Sequence, residues 1–293
     1  MRRALVFGGS GQIGDGLLPL LRGAGCEVLA VSRQPHADAD GLRWIVGALD
    51  DGLSIPTDAF DAVFSLGPLD AFVRWHARVG PIAPRVVAFG STSVATKATS
   101  VEPTERDVAQ RLRVAEDTLL ALGPRETVGV TILRPTLIYG RGRDRTLTRI
   151  AAFAQRRGFF VLPRNAHGLR QPVHVDDLAR AALAAADSPT AAGRAYDLPG
   201  GEVVAFDAMV QRALACLPNH PRLLRVPSPI FRAMIASARA LRMIDAVTPA
   251  MGEHLQVDQV FDGAAAQRDF GYAPRAFAPE ARMFAANVVA KQP

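Results

Sequence analysis

The decapeptide "FGGSGQIGDG", residues 7–16, constrains the fold of this chain more than any other stretch. It sets Gly8, Gly11 and Gly14 three residues apart, after the short apolar run "RALVF" and before "LLPLLRG". A strand that ends in such glycines and opens into a helix leaves backbone amides facing outward at the helix N-terminus. Those amides and the helix dipole attract an anion. Each glycine has its own task. Gly8 allows a tight turn, Gly11 lets the backbone approach a pyrophosphate, and Gly14 lets helix and strand pack closely. Gln12 and Ile13 then turn their amides to the phosphates, with Ser10 beside them. A glycine pattern alone is a weak sign, but this strand–loop–helix context makes it a dinucleotide-binding signal.

The rest of the chain repeats the same unit. Apolar, β-branched runs predict strands at 3–8, 27–32, 42–47, 61–66, 85–90 and 129–135, and helical spacing predicts helices near 12–23, 68–78, 104–122 and 174–187. "RAYDLPGGE" adds a short strand and turn. Such alternation predicts an α/β fold, a Rossmann-type doubly wound parallel sheet with helices on both faces. No linker separates a second domain, which must be woven from insertions and the C-terminal third.

The end of the second strand, "AVSRQP", sets the cofactor type. An NAD site usually has a carboxylate there for the ribose 2′-hydroxyl, whereas this chain has Ser32 and Arg33. An arginine bonds a 2′-phosphate that a carboxylate would repel, at roughly 1.5–3 kcal/mol for a charge-assisted hydrogen bond. The expectation is NADP(H) in preference to NAD(H), with a solvated surface arginine as the alternative.

Composition excludes several classes. Net charge is +6, but the basic residues are nearly all arginines scattered along the chain, with Lys97 and Lys291 the only lysines. That scatter lacks the aromatic-rich basic strand of an RNA binder, so no nucleic-acid partner is expected. No apolar run is long enough for a transmembrane segment, and the apolar run after the N-terminal arginines is too short for a secretion signal. A cytoplasmic protein is expected. Cys26 and Cys216 match no metal or redox spacing and read as packing residues, so no metal site is expected.

The glycine loop, "RVVAFGSTS", "TILRPTLIYGRGRD" and "RQPVHVDDLARAA" together resemble the extended short-chain dehydrogenase/reductase family, more narrowly its NAD(P)-dependent epimerase/dehydratase group. The resemblance covers roughly residues 1–200, with four motifs in the family's order. It implies a Rossmann core over 1–138 and 172–200, and an interleaved, smaller substrate-binding region over 139–171 and 201–293. Substrate would lie in the cleft between them, and family members often form homodimers. Leu66, Gly67 and Pro68 would lie along the cofactor, with Leu49 at the adenine end and Pro135 and Thr136 passing the nicotinamide. Ser91 and Thr92 match the catalytic hydroxyl, Thr92 being the better fit. Arg170 matches an arginine that contacts the substrate diphosphate in nucleotide-sugar members, and Arg141 opens an arginine group on the same side. A small-molecule substrate, anionic or nucleotide-linked, is the implied partner.

Two departures stand against the resemblance. The third strand ends Gly47-Ala48 where the family usually has Gly-Asp, although Asp50 is near. More important, "VEPTERDVAQRLRVAEDTLL" (101–120) lacks the family's Tyr and Lys. With Glu116 as the anchor of that helix, counting back puts Leu112 at the Lys position and Val108 at the Tyr position. A register shifted by one residue would offer Asp107 and Arg111 instead, a spacing that more commonly marks an exposed ion pair. Lys97, in the loop after the fifth strand, is a further proton-donor candidate. Two functions stay open: an atypical oxidoreductase or epimerase-like enzyme, and a non-catalytic NADP(H)-binding sensor or cofactor-stabilised subunit. The apolar, arginine-flanked stretch 229–247 reads either as substrate-domain core or as a docking helix for a partner or membrane surface.

Overall fold

The computed structural model describes residues 1–50, 52–56, 60–240 and 255–284. They fall into two compact units, the first comprising Met1–Thr136, Val175–Leu198 and Asp262–Pro274.

Seven strands form its sheet: β1 (Arg3–Phe7), β2 (Glu27–Ser32), β3 (Leu42–Val46), β4 (Ala62–Ser65), β5 (Arg85–Phe89), β6 (Gly129–Pro135) and β11 (Arg194–Leu198). Their order is β11-β6-β5-β4-β1-β2-β3, and every neighbouring pair is parallel. A parallel sheet covered on both faces needs strands that are apolar throughout, and Ala4, Leu5 and Val6 of β1 are each 0% exposed. Helices α1 (Gly14–Gly23) and α6 (Val175–Asp187) pack together, as do α2 (Leu69–Val79) and α4 (Pro103–Glu126). Between α2, α4 and the sheet lies a core built around Phe7, Phe72, Trp75 and Leu119. Phe7 meets Trp75 edge-on at 4.6 Å between ring centroids. Full burial of such side chains stabilises by about 1.5–3 kcal/mol each. The strand order reverses between β1 and β4, and the crevice past their carboxyl ends is where open α/β sheets take ligands.

Assigning all of 201–293 to the substrate region needs correction. Residues 262–274 return to the first unit, where a short helix, here α9 (Ala264–Phe270), packs on β11. The Tyr196 hydroxyl of β11 donates to the Asp269 carboxylate at 2.6 Å, Arg194 donates to the same carboxylate at 2.9 Å, and Phe270 sits edge-on to the Tyr196 ring. Sequence spacing gave no sign of contacts between residues this far apart.

The second unit comprises Leu137–His174, Pro199–Phe261 and the chain from Arg275 onward. It holds three strand pairs: β7 (Ile138–Tyr139) with β10 (Val173–His174), β8 (Phe159–Pro163) with β13 (Arg222–Val226), and β9 (Leu169–Arg170) with β12 (Val204–Ala205). Helices α5 (Leu147–Arg157) and α7 (Phe206–Ala215) close a core around Tyr139, Leu147, Met209 and Phe277. Helix α8 (Ser228–Ala240) takes the first part of the 229–247 stretch; its Ile230 and Met234 are exposed, and residues 241–247 lie outside the described residues. No described helix is long and apolar enough to cross a membrane.

Candidate cofactor site

The site begins where β1 stops. Gly8 adopts φ +75°, which L side chains rarely take, and the Gly11 amide donates back to its carbonyl at 2.9 Å. That turn lies against the exit of β4: a Cβ on Gly8 would sit 3.4 Å from the backbone of Leu66 and of Gly67. At Gly14 there is no room at all, since a Cβ would fall 2.1 Å from the Gly9 carbonyl oxygen. The helix thus begins pressed onto the loop, which is the close packing a dinucleotide loop needs. Gln12 carries a buried side-chain oxygen, Oε1, that has no hydrogen-bond partner. A buried acceptor left open costs roughly 1–3 kcal/mol unless something donates to it. A sterically required glycine turn and an open acceptor in one loop fit a bound dinucleotide.

The carboxyl end of β2 turns its polar groups onto Ser32. Ser32 is buried, and its Oγ lies 2.9 Å from Ser10 Oγ, 3.2 Å from the Gln34 amide and 3.1 Å from His36 Nε2. Beside it Arg33 is exposed and pairs with no described acid. The sequence pattern singles out Ser32 and Arg33, whereas His36 and Trp44, which the fold brings beside them, carry no signal in their sequence spacing. The His36 ring stacks on Trp44 of β3 at 4.4 Å, and the Trp44 ring lies under Gly9. The polar turn "RQPHAD" was the available hint, but nothing in its spacing shows that it folds back. Asp50 is held by Arg74 at 2.9 Å, and the Leu49 carbonyl accepts from Arg78 at 2.9 Å.

The residues expected beside a nicotinamide lie after β5 and β6, and the helix that faces them in the sequence reading is α4. Thr92 is buried and donates its hydroxyl to the Pro135 carbonyl at 3.2 Å, so its proton is already engaged. Ser91 is half-buried and donates to the Ser93 hydroxyl at 3.0 Å. Thr136 joins β6 to the end of β11, its amide donating to the Leu198 carbonyl at 3.3 Å. Lys97 closes the short helix α3 (Ser93–Thr96) and pairs with Glu105 at 3.4 Å, while Ser100 donates to the same carboxylate at 2.6 Å. Lys97 therefore serves to fix the start of α4, where Pro103 occupies the first turn.

Helix α4 is anchored by Glu116. This residue is 2% exposed, and both its oxygens accept from Arg134 of β6, at 3.0, 3.0 and 2.5 Å. Burial alone would lower the Arg134 pKa, but the Glu116 carboxylate and then Asp197, 3.9 Å away, hold it above its ordinary value. Leu112 and Val108, one and two turns before Glu116, are half-buried, and Leu112 packs against the sheet core. Asp107 and Arg111 pair at 3.1 Å with side chains 67% and 58% exposed, a solvated helix pair of the kind worth about 0.3–0.5 kcal/mol.

In the second unit Arg170 is 5% exposed, and one of its nitrogens donates to the carbonyls of Leu169 and Val257, each at 2.7 Å. Burial lowers its pKa to about 10, and Asp258 partly offsets that shift. Segment 255–261 runs along β9 through the Gly168 amide to the Leu255 carbonyl and the Gln259 amide to the Leu169 carbonyl. Arg141 is half-buried and engaged, whereas Arg145, Arg149 and Arg164 are exposed. Among the described residues no cluster of metal-ligating side chains occurs.

Residues 77–198 match the model of the NAD dependent epimerase/dehydratase family. That match takes in β5, β6, β11, α4 and α6 but less than half of the chain. Solved structures repeat the fold of this chain at low identity. The epimerase Mth375 of Methanothermobacter thermautotrophicus is 15% identical at a TM-score of 0.68, covering 97% of this chain and 90% of that one. MoeE5 in complex with UDP-glucose and NAD is 21% identical, covering 96% of each chain at a TM-score of 0.68. WbmF of Bordetella bronchiseptica, in complex with NADH, is 15% identical, covering 97% of this chain and 89% of that one at a TM-score of 0.67. Among curated proteins, subunit 9 of the NADH dehydrogenase [ubiquinone] 1 alpha subcomplex, from Arabidopsis thaliana mitochondria, is 33% identical over 107 residues. That match spans 36% of this chain and 26% of the relative, about a quarter of its length.

Proposed function

We propose that this protein binds NADP(H) and acts as an atypical oxidoreductase or epimerase-like enzyme on a polar or anionic, nucleotide-linked small molecule. The observation that carries the cofactor half is the carboxyl end of β2. Ser10, Ser32 and an unpaired Arg33 gather there, and no carboxylate occupies the place where an NAD site usually has one. Gly8, Gly11 and Gly14 with the amides of Gln12 and Ile13 would hold the pyrophosphate, and Leu66, Gly67 and Pro68 would flank it. The bound nicotinamide supplies hydride chemistry. A neighbour solved with UDP-glucose and NAD supports the nucleotide-linked substrate class.

The chain's own residues set the limits of that chemistry. A positioned general acid contributes typically 10²–10⁴-fold, and α4 offers Val108 and Leu112 where the family has Tyr and Lys. Ser91 is the hydroxyl assigned the contact with a substrate oxygen, because its partner is the Ser93 hydroxyl, which can itself donate, whereas Thr92 donates to the Pro135 carbonyl. Hydride transfer would then proceed without a helix-borne acid, with Ser91 orienting the substrate oxygen.

A second reading, a cofactor-stabilised non-catalytic subunit, is favoured by that apolar face of α4 and by the partial likeness to a respiratory-complex subunit. Turnover separates the two. Purified protein is incubated with NADPH and a panel of carbonyl and nucleotide-sugar compounds while cofactor oxidation is followed by absorbance. Substrate-dependent oxidation supports the enzyme. Tight cofactor binding with a silent panel supports the subunit.

A further inference from the structure

The turn after β2 carries a group that the glycine loop and Arg33 do not explain. His36 bends back so that Nε2 reaches Ser32 Oγ at 3.1 Å, and its ring stacks on Trp44 at 4.4 Å with 31° between planes. Trp44 is itself fixed, its amide donating to Asp38 at 2.8 Å and its ring lying against the glycine loop at Gly9. The imidazole is thus held by β3 and aimed at the hydroxyl that also meets Ser10. It is nevertheless exposed on its outer side. Three polar groups converge there within hydrogen-bond distance of one oxygen: the Gln34 amide, which donates, and Ser10 Oγ and His36 Nε2, each able to donate or accept. A phosphate would offer all three of them an acceptor oxygen.

We propose that His36 is a specificity-determining residue of the cofactor site, donating to the ribose 2′-phosphate of NADP(H) alongside Arg33. This rests on the NADP(H) reading given above. Its distinct consequence is pH dependence. A protonated imidazole binds phosphate more strongly than a neutral one, so lowering the pH should favour NADP(H), while NAD(H), with no 2′-phosphate, gains nothing. The charged groups on the same turn are Arg33, Asp38 and Asp40. The groups drawn from the glycine loop, β2 and β3 are Ser10, Ser32 and Trp44, all uncharged.

The test is calorimetric titration of the full chain with NADP⁺ and with NAD⁺ at pH 6, 7 and 8.5, for the wild type and His36→Gln. The phosphate's own second ionisation lies near pH 6 and affects both proteins alike. The wild-type NADP⁺/NAD⁺ affinity ratio should therefore rise on acidification by roughly ten-fold relative to His36→Gln, the usual margin of a charge-assisted over a neutral hydrogen bond. Fluorescence of Trp44 gives a second readout: the other tryptophan, Trp75, is 0% exposed, and NADP⁺ should change the Trp44 signal less in the variant. Parallel pH profiles and equal ratios in the two proteins, with NADP⁺ still preferred, would overturn the role of His36 and leave the NADP(H) reading standing. A wild type that prefers NAD⁺ at every pH would overturn the reading and the inference together.

Discussion

Gly14→Ala puts the cofactor loop under the most direct strain the structure offers. The added Cβ would lie 2.1 Å from the Gly9 carbonyl oxygen, 2.5 Å from its carbon and 2.7 Å from its Cα. All three are backbone atoms, so no side chain can rotate aside. An ordinary contact needs the loop to open by about 1 Å, against a turn closed by the Gly11-to-Gly8 hydrogen bond at 2.9 Å. Overpacking of this kind costs about 1–3 kcal/mol. The same displacement removes the amides of Gln12 and Ile13 from a pyrophosphate, so cofactor affinity should fall at least ten-fold beyond the stability loss. Gly23→Ala is the matched control at the other end of α1, where an added Cβ meets nothing within 4 Å. It should be neutral or stabilise by up to about 1 kcal/mol, since Gly is the poorer helix former. Urea unfolding without cofactor reads the first effect and a binding titration the second. If Gly14→Ala unfolds and binds like the wild type, the packed glycine loop described here is wrong.

Three further outcomes follow from other parts of the molecule. Arg33→Ser should reduce the NADPH/NADH affinity ratio by about ten- to a hundred-fold through loss of a charge-assisted contact, with NADH affinity unchanged in the same titration. Glu116→Ala leaves Arg134 half-buried with the weaker pull of Asp197, 3.9 Å away, and of Asp117, so it should destabilise by about 3 kcal/mol, the lower end of the range for breaking a buried pair; a urea midpoint within error of the wild type would contradict this. In the second unit, burial raises the Asp207 pKa, but hydrogen bonds from Arg225 and His167 outweigh it and hold the carboxyl below its ordinary value. Its contribution is present above the unfolded pKa near 3.8 and is lost as pH falls through the lower folded value. Acid unfolding should thus show a steeper loss of stability below about pH 4 for the wild type than for Asp207→Asn.

The parallel sheet was legible because its strands are buried on both faces and written as unbroken apolar runs, such as "RALVF" and "RVVAF". The glycine loop was legible because its spacing is a local backbone requirement. Contacts that close over long sequence separations were not. Pro135 takes the proton of Thr92 from 43 residues away, and Val257 occupies Arg170 from 87 residues away. Counting along a motif places a residue type but does not show whether its donors are already used. Glu116 is the instructive middle case, since motif counting named it as the anchor of α4 and Arg134 shows what it is anchored to. His36 escaped because its turn has no periodicity, and only the fold of β3 brings Trp44 under it.

The central claim is NADP(H) binding through the glycine loop and the end of β2, and a fluorescence titration of the wild type with NADPH and NADH in parallel tests it most directly. The account predicts saturable NADPH binding with NADH at least ten-fold weaker, as one charge-assisted contact to the 2′-phosphate requires. Equal affinity, or binding of neither cofactor, would contradict it.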